Sequence, residues 1–289
     1  MSVETVSVGE LVDRLVGWLE RLMPAGARRD ALVVELTGRF GGDDAPVNAA
    51  ACAAVERSAW SIARHVALFF EPDGTEPPDT QAPEWPPPDP NDVRSRAASV
   101  SRVCRLDDGI GLIRIDGLER AGLAQPYVDA AFGLLRGARR IVLDLRGNGG
   151  GDPATVALIA GWLLGDESVK LSDVVEQDRS RQWWTPDRPP GTALRQDACV
   201  LVGPGTFSSG EALAYHLQSH RRVTVVGEAT PGAADHVLPV RLAPAVLAHV
   251  PRAYVRDAVT GGNWEGTGVV PDVACPAGEA LDTALTILA

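Results

Sequence analysis

One serine lies where a buried strand is expected to pass into a helix. It is Ser208, within residues 206–211 (Thr-Phe-Ser-Ser-Gly-Glu), which follow the apolar run 198–203 and open an amphipathic run that ends near Ser219. The first backbone N–H groups of a helix have no intrahelical acceptor and point outward, so a serine there suits a reaction whose transition state carries an oxyanion. An ordinary helix cap is the alternative, and for an isolated serine it is the more frequent one.

A glycine-rich loop is the second candidate for chemistry. Residues 146–151 (Arg-Gly-Asn-Gly-Gly-Gly) follow the predicted strand 140–145 and precede a helical run that starts at Pro153. Glycines let the backbone approach a ligand closely and expose its N–H groups. A phosphate cradle would lack the lysine of a P-loop, and the spacing does not match the dinucleotide-binding pattern. An oxyanion cradle facing Ser208 and a plain tight loop are the two remaining interpretations.

A serine nucleophile needs a base, and the chain has five histidines. They are His65, His216, His220, His236 and His249. His216 and His220 are four residues apart on one predicted helix, and a solvated helix face is favoured over a two-histidine metal site. His249 lies in a strand-like run and is interpreted as structural. Residue chemistry alone leaves His65, near the end of a predicted helix, and His236, in a Gly/Ala-rich turn, as candidate bases.

Charge and composition argue against several classes of partner. The 27 Lys and Arg against 38 Asp and Glu give a net charge of −11 and a pI near 4.9, which disfavours nucleic acid and anionic membrane surfaces. The N-terminus lacks the pattern of a secretory signal, and no apolar run is long enough to span a membrane. The four cysteines are far apart without C-x-x-C spacing, so we expect reduced core residues in a cytoplasmic protein, with no metal and no cofactor.

The pattern of apolar residues divides the chain into three parts. Residues 1–71 predict an N-terminal helical bundle, residues 72–98 are proline-dense and predict an extended, semi-stiff linker, and residues 99–289 alternate strands with helices. Such alternation indicates an α/β layered core with mostly parallel strands. The three helices of the bundle are predicted over residues 11–22, 28–40 and 46–70.

Four sequence blocks stand in a fixed order along the chain. They are residues 144–151 (DLRGNGGG), 205–211 (GTFSSGE), 227–232 (GEATPG) and 263–272 (NWEGTGVVPD). In that order they resemble the S41 serine peptidases, which include carboxyl-terminal processing proteases, the tricorn protease core and interphotoreceptor retinoid-binding protein modules. The bacterial retinoid-binding-protein-like branch is the most similar.

The resemblance implies a crotonase- or ClpP-like α/β spiral core with serine acyl-transfer chemistry. Within the family's Ser-x-x-Glu pattern, the nucleophile maps to Ser208. The backbone N–H groups of Ser209 and of the glycine cluster at Gly149 and Gly150 would form the oxyanion hole.

The resemblance also implies a base. The processing proteases use a lysine where this chain has about Ala233, so a Ser-Lys dyad is not available. The tricorn-like branch uses a histidine and a glutamate, which map to His65 as base and Glu265 as the orienting residue. Arg64 precedes His65 where that branch has a serine, which leaves the partner that orients the histidine unassigned. The secondary candidates are His236 and Arg146; Arg146 is expected mainly to pair with Asp144.

Two classes of function follow from these residues. The first is a serine hydrolase of the S41 type that cleaves peptide or related acyl bonds, with a peptide or a small hydrophobic acyl compound as substrate. The alternative is a non-proteolytic module of the same fold that binds a hydrophobic small molecule, or a small-molecule pathway hydrolase or cyclase. A homo-oligomer is compatible with either.

Overall fold

The computed structural model describes residues 6–82 and 84–289. The helices in this part of the chain are α1 (Val8–Leu22), α2 (Ala27–Phe40), α3 (Ala49–Trp60), α4 (Pro90–Ser95), α5 (Ala121–Leu134), α6 (Pro153–Leu164), α7 (Ser209–Ser219) and α8 (Ala280–Leu288). The strands are β1 (Ala67–Phe70), β2 (Val100–Arg105), β3 (Ile110–Ile115), β4 (Arg140–Asp144), β5 (Lys170–Val175), β6 (Ser180–Trp184), β7 (Ala198–Val202), β8 (Thr224–Gly227), β9 (His236–Ala243), β10 (Val246–Asp257) and β11 (Val273–Ala274).

The chain forms two compact units, each made of three segments. Unit 1 comprises Met1–Pro86, Val174–Arg181 and Asp235–Val255, and unit 2 comprises Pro87–Asp173, Gln182–Ala234 and Arg256–Ala289. The division differs from the predicted domains, because two segments that were assigned to the α/β core belong to unit 1.

Unit 1 packs three helices against an antiparallel sheet. Helix α1 begins with a capping box in which Ser7 and Glu10 satisfy each other's backbone N–H groups. Leucines at helical spacing on α1 and α2 are fully buried, in one core with valines of β9 and β10. β10 pairs antiparallel with both β1 and β9. The first two predicted helices are confirmed.

The third predicted helix is wrong in its second half. Helix α3 ends at Trp60, and Ala67–Phe70 forms strand β1, which pairs with β10. A short apolar run that continues the helical pattern of its predecessor cannot be distinguished from a strand by periodicity alone. His65 therefore lies in the turn between α3 and β1 rather than on a helix.

The first part of the proline-dense segment, up to Pro86, belongs to unit 1. The N–H of Asp79 donates to the carbonyl of Arg241 at 2.9 Å, and the indole N–H of Trp85 donates to the carbonyl of Val237 at 3.1 Å. Both acceptors belong to β9. The composition of this segment gave no indication of hydrogen bonds to a strand.

Unit 2 has a six-stranded sheet in the order β11-β8-β7-β4-β3-β2. All neighbouring pairs run parallel except β2 with β3, so the predicted α/β core with mostly parallel strands is confirmed. Helix α5 contains Pro126 in its interior. Within the described ranges, no helix combines the length and apolar character needed to cross a membrane.

Candidate active site

Two loops of unit 2 meet at one edge of its sheet. The glycine-rich loop follows β4, and the loop that ends at Ser208 follows β7, its parallel neighbour. Carboxyl ends of adjacent parallel strands lie at the same edge, which is where open α/β sheets place their ligands. The side chain of Thr206 joins the two loops, because its hydroxyl donates to the carbonyl of Leu145 at 2.8 Å.

Ser208 has a strained backbone. Its φ of +53° and ψ of −119° lie in a region that residues with a side chain rarely occupy, at a cost of about 1–3 kcal/mol. The residue is the N-cap of α7 and is half-buried. A sharp strand-to-helix turn of this kind presents a serine hydroxyl at the start of a helix, where backbone N–H groups are unpaired.

Gly150 packs directly beneath this turn. Its φ is +96°, and a Cβ at this position would lie 2.9 Å from both the carbonyl oxygen of Phe207 and the Cβ of Ser208. The hydroxyl of Ser209 donates to the carbonyl of Gly151 at 2.8 Å, which adds a further link between the two loops. The contact between the glycine loop and the serine turn therefore requires a residue without a side chain at position 150.

Asn148 fixes the glycine loop from inside. Its side chain is fully buried, accepts the N–H of Gly150 at 2.9 Å and donates to the carbonyl of Ile115 at 3.0 Å. Its own carbonyl accepts the N–H of Phe207 at 2.9 Å. Asn148 was not among the predicted site residues, although its position inside a glycine run is the signal that could have identified it.

The three expected oxyanion donors differ in their present partners. The N–H of Gly149 donates to the carbonyl of Asp116 at 3.3 Å, and that of Gly150 donates to Asn148. The N–H of Ser209 is at the first position of α7 and has no acceptor among the residues that the structure describes. Gly149 and Gly150 would have to exchange their acceptors for an oxyanion, whereas Ser209 would not.

Glu211 holds the serine turn and a second loop together. Its fully buried carboxylate accepts the N–H of Ser208 at 2.8 Å, the hydroxyl of Thr230 at 2.5 Å, and the N–H groups of Gly232 and Ala233 at 2.7 and 3.0 Å. Burial raises the pKa of Glu211, and the four donors act against that rise. The carboxylate of Glu211 therefore has a structural role.

His65 lies in unit 1 and is 8% exposed. Its Nδ1 is hydrogen-bonded to the backbone carbonyl of Asp235. A carbonyl only accepts, so Nδ1 carries the proton in the neutral ring and Nε2 carries the lone pair. Burial lowers the pKa of His65 from 6.5 to about 4, with a smaller contribution from His249, so the ring is neutral at pH 7.

The other predicted site residues are divided between the two units. Glu265, in unit 2, accepts the N–H of Ala234 at 2.7 Å. His236 is in unit 1, where burial lowers its pKa to about 3 with help from nearby Arg181 and Arg252. Burial therefore disfavours the charged form of both His236 and His65.

Arg146 is engaged by neighbours that stabilise the loop. Its guanidinium forms a bidentate pair with Asp144, with distances of 2.9 and 2.7 Å, and donates to the carbonyl of Ala277 at 2.7 Å. The predicted Asp144–Arg146 pair is confirmed. These bonds use three guanidinium nitrogens, which favours the loop-holding role over the oxyanion role.

The prediction of a solvated face for His216 is wrong. His216 is 3% exposed, and its Nδ1 lies 2.8 Å from a carboxylate oxygen of Asp257, which is also buried. Burial alone would raise the pKa of Asp257, but His216 and the backbone N–H groups of Thr260 and Val259 hold it at about 2. The ring of His216 also meets the indole of Trp264 edge-on, at 5.8 Å between centroids.

The fold and these loops define an α/β protein with a serine at a strand-to-helix turn against a glycine-rich loop. The family model described as peptidase family S41 matches residues 109–275, more than half of the chain. The chain therefore belongs to peptidase family S41.

The chain is also similar to individual proteins in sequence or in fold. Carboxyl-terminal-processing peptidase 2 from the chloroplasts of Arabidopsis thaliana is 31% identical over 145 residues, which cover 49% of this chain and 27% of that protein. The photosystem II D1 C-terminal processing protease has a TM-score of 0.50 at 23% identity, over 66% of this chain and 50% of its own. A candidate peptidase from Parabacteroides merdae has a TM-score of 0.64 at 15% identity, over 98% and 97% of the two chains. This chain thus spans about a quarter of the curated relative and half of the D1 processing protease.

Proposed function

We propose that the protein is a serine-type peptidase that cleaves peptide or related acyl bonds through an acyl-serine intermediate on Ser208. The observation that carries the proposal is the strained backbone of Ser208 at the start of α7, packed on Gly150. Strain of this kind persists where the surrounding structure imposes it, and it is concentrated at functional sites. An isolated helix cap would not require it.

His65 is the proposed base. Its neutral ring with a lone pair on Nε2 has the form that a general base needs at pH 7. In the first step Nε2 takes the proton of the Ser208 hydroxyl as Oγ attacks the scissile carbonyl. The resulting imidazolium then gives this proton to the leaving amine, and a water repeats the cycle on the acyl-serine.

Glu265 is proposed as an orienting residue that acts through the backbone. Its carboxylate accepts the N–H of Ala234, the residue that precedes Asp235 in the chain. The carbonyl of Asp235 in turn accepts the Nδ1 proton of His65.

The oxyanion would be stabilised by the N–H of Ser209, together with a donor of the glycine loop at Gly149 or Gly150. Loss of one such donor typically lowers the rate by about 10²–10³. The crotonase- or ClpP-like spiral is the proposed finer description of the unit 2 core, and the parallel β3, β4, β7 and β8 are compatible with it. The cytoplasmic location stays a prediction.

Labelling with a fluorophosphonate probe tests the proposal. The native protein should be labelled on the peptide that contains Ser208, and Ser208→Ala and His65→Gln should each abolish labelling. Ser101→Ala, at an exposed serine of β2, and His249→Gln, at a half-buried histidine of unit 1, serve as controls and should be labelled as the native protein is. Folded native protein that takes up no probe would contradict the proposal and favour the hydrophobic-ligand alternative.

A further inference from the structure

The residue that orients His65 is a main-chain carbonyl. The resemblance left this partner unassigned because Arg64 stands where the tricorn-like branch has a serine, and Arg64 lies over the ring of Trp60 with its guanidinium carbon 5.3 Å from the ring centroid. The Nδ1 of His65 is instead hydrogen-bonded to the carbonyl of Asp235, 170 residues further along the chain. A main-chain acceptor sets the tautomer only if its peptide group is held in place.

An ion pair within unit 1 holds that peptide group. One guanidinium nitrogen of Arg28, at the second residue of α2, contacts both carboxylate oxygens of Asp235 at 2.6 and 2.5 Å. The Asp235 side chain is fully buried, and that of Arg28 is 31% exposed. Helix α2 is itself fixed by Leu32 and Leu36, which are fully buried in the unit 1 core.

Stability alone does not explain a buried carboxylate here. Removing a carboxylate from water is expensive, and a buried ion pair is often no more stabilising than apolar residues of similar volume. The ion pair does restrict the orientation of Asp235, whose carboxylate and backbone carbonyl belong to the same residue. Fixing the carboxylate on Arg28 therefore restricts the carbonyl that accepts the proton of His65.

We propose that Arg28 and the carboxylate of Asp235 are positioning residues for the reaction: their ion pair holds the Asp235 carbonyl so that His65 keeps its proton on Nδ1 and its lone pair on Nε2. This inference rests on the proposed function, in which His65 is the base. Neither residue is assigned a contact with the substrate.

The direct test is the tautomer of His65 in the full-length protein at pH 7. Nitrogen NMR of protein labelled at the histidine ring distinguishes Nδ1–H from Nε2–H, and the signals of His65 are identified by their absence in His65→Gln. The native protein should show the Nδ1–H form. Asp235→Asn, which keeps the size and the backbone carbonyl but removes the charge, should give a mixture of tautomers, as should Arg28→Ala. Arg28→Lys, which keeps the positive charge, should restore most of the Nδ1–H form.

The rate of fluorophosphonate labelling is the second readout. Asp235→Asn and Arg28→Ala should label at least tenfold more slowly than native protein, and Arg28→Lys should recover most of the rate. An Nε2–H tautomer in the native protein would overturn the inference. So would an unchanged tautomer and rate in folded Asp235→Asn, the variant with the smaller structural change.

The two readouts separate this inference from the proposed function. The tautomer requires no chemistry at Ser208, so native protein that takes up no probe but holds His65 as Nδ1–H would refute the peptidase and leave the positioning contact standing. If the native protein is labelled but substitutions of Arg28 and Asp235 change neither the tautomer of His65 nor the labelling rate, the positioning role alone is refuted. The signals of His249 report whether each variant keeps the fold of unit 1.

Discussion

The backbone N–H of Ser208, the N-cap of α7, donates to the buried carboxylate of Glu211 at 2.8 Å, three residues later in the chain. The same carboxylate binds the loop that carries Thr230, Gly232 and Ala233. A buried acceptor with four donors couples the strained serine turn to that second loop. The position of the Ser208 hydroxyl is therefore determined by a residue that takes no part in the proposed chemistry.

Replacing Glu211 by Gln should weaken both the fold and the site. The amide would turn an NH₂ group toward donors, so at least one buried N–H or hydroxyl would lose its acceptor, at a cost of about 1–3 kcal/mol for each lost partner. Urea unfolding should show this loss of stability, and probe labelling should slow by roughly tenfold or more, since the turn loses one anchor. The control is Glu228→Gln at an exposed glutamate of the next block. Equal behaviour of the two variants would contradict the prediction.

Replacing Gly150 by Ala should reduce both stability and probe labelling far more than the addition of one methyl group suggests. The new Cβ would lie 2.9 Å from the Phe207 carbonyl and from Ser208, in a backbone conformation with φ of +96°. We expect a loss of about 1–3 kcal/mol in the free energy of unfolding and little probe labelling. Gly149→Ala is the matched control for stability, because a Cβ there has no neighbour within 4 Å. The result to exclude is a Gly150→Ala protein as stable as Gly149→Ala.

The proximity of the glycine-rich loop to the loop that ends at Ser208 could be predicted from the sequence. Each block follows a short apolar strand and precedes a helix, and parallel strands bring such loops to one edge of a sheet. Ser208 and Gly150 could therefore be predicted to lie near each other. The strain at Ser208 and the bonds of Asn148 could not, because backbone angles and side-chain hydrogen bonds depend on the packed partners.

Hydrogen bonds between residues far apart in the chain could not be predicted from the sequence. Asp235 reaches His65 across 170 residues through a backbone carbonyl, an acceptor that every residue possesses and that no pattern of residue types marks. His216 and Asp257 are separated by 41 residues, and a histidine at helical spacing from another one resembles a solvated face until its partner is known. Local patterns specify the elements, whereas these contacts are specified by how the elements pack.

The His216–Asp257 pair should be a determinant of stability in unit 2. His216→Ala removes a hydrogen-bond partner from a carboxylate that is 2% exposed, and breaking a buried pair in this way typically costs about 3–5 kcal/mol. Chemical denaturation at pH 7 measures the loss. His220→Ala, at the C-cap of α7 four residues along, is the control and should cost clearly less. A His216→Ala protein with native stability would show that the pair is not a significant anchor.

The dependence on pH provides a separate test of His65. Burial lowers its pKa from 6.5 to about 4, so the base stays neutral well below the range of an exposed histidine. The rate of probe labelling should change by less than about twofold between pH 7 and pH 5 and fall as the pH drops through about 4. The free energy of unfolding should also depend on the protonation of His65 between pH 6.5 and pH 4. Between pH 6.5 and pH 4 the unfolded chain binds a proton at His65 that the folded chain does not, so the free energy of unfolding falls as the pH falls. For this group the fall is roughly 3 kcal/mol, and His65→Gln should lack it. A labelling midpoint near pH 6.5 would mean that the base titrates as an exposed histidine, which contradicts the assignment of buried His65.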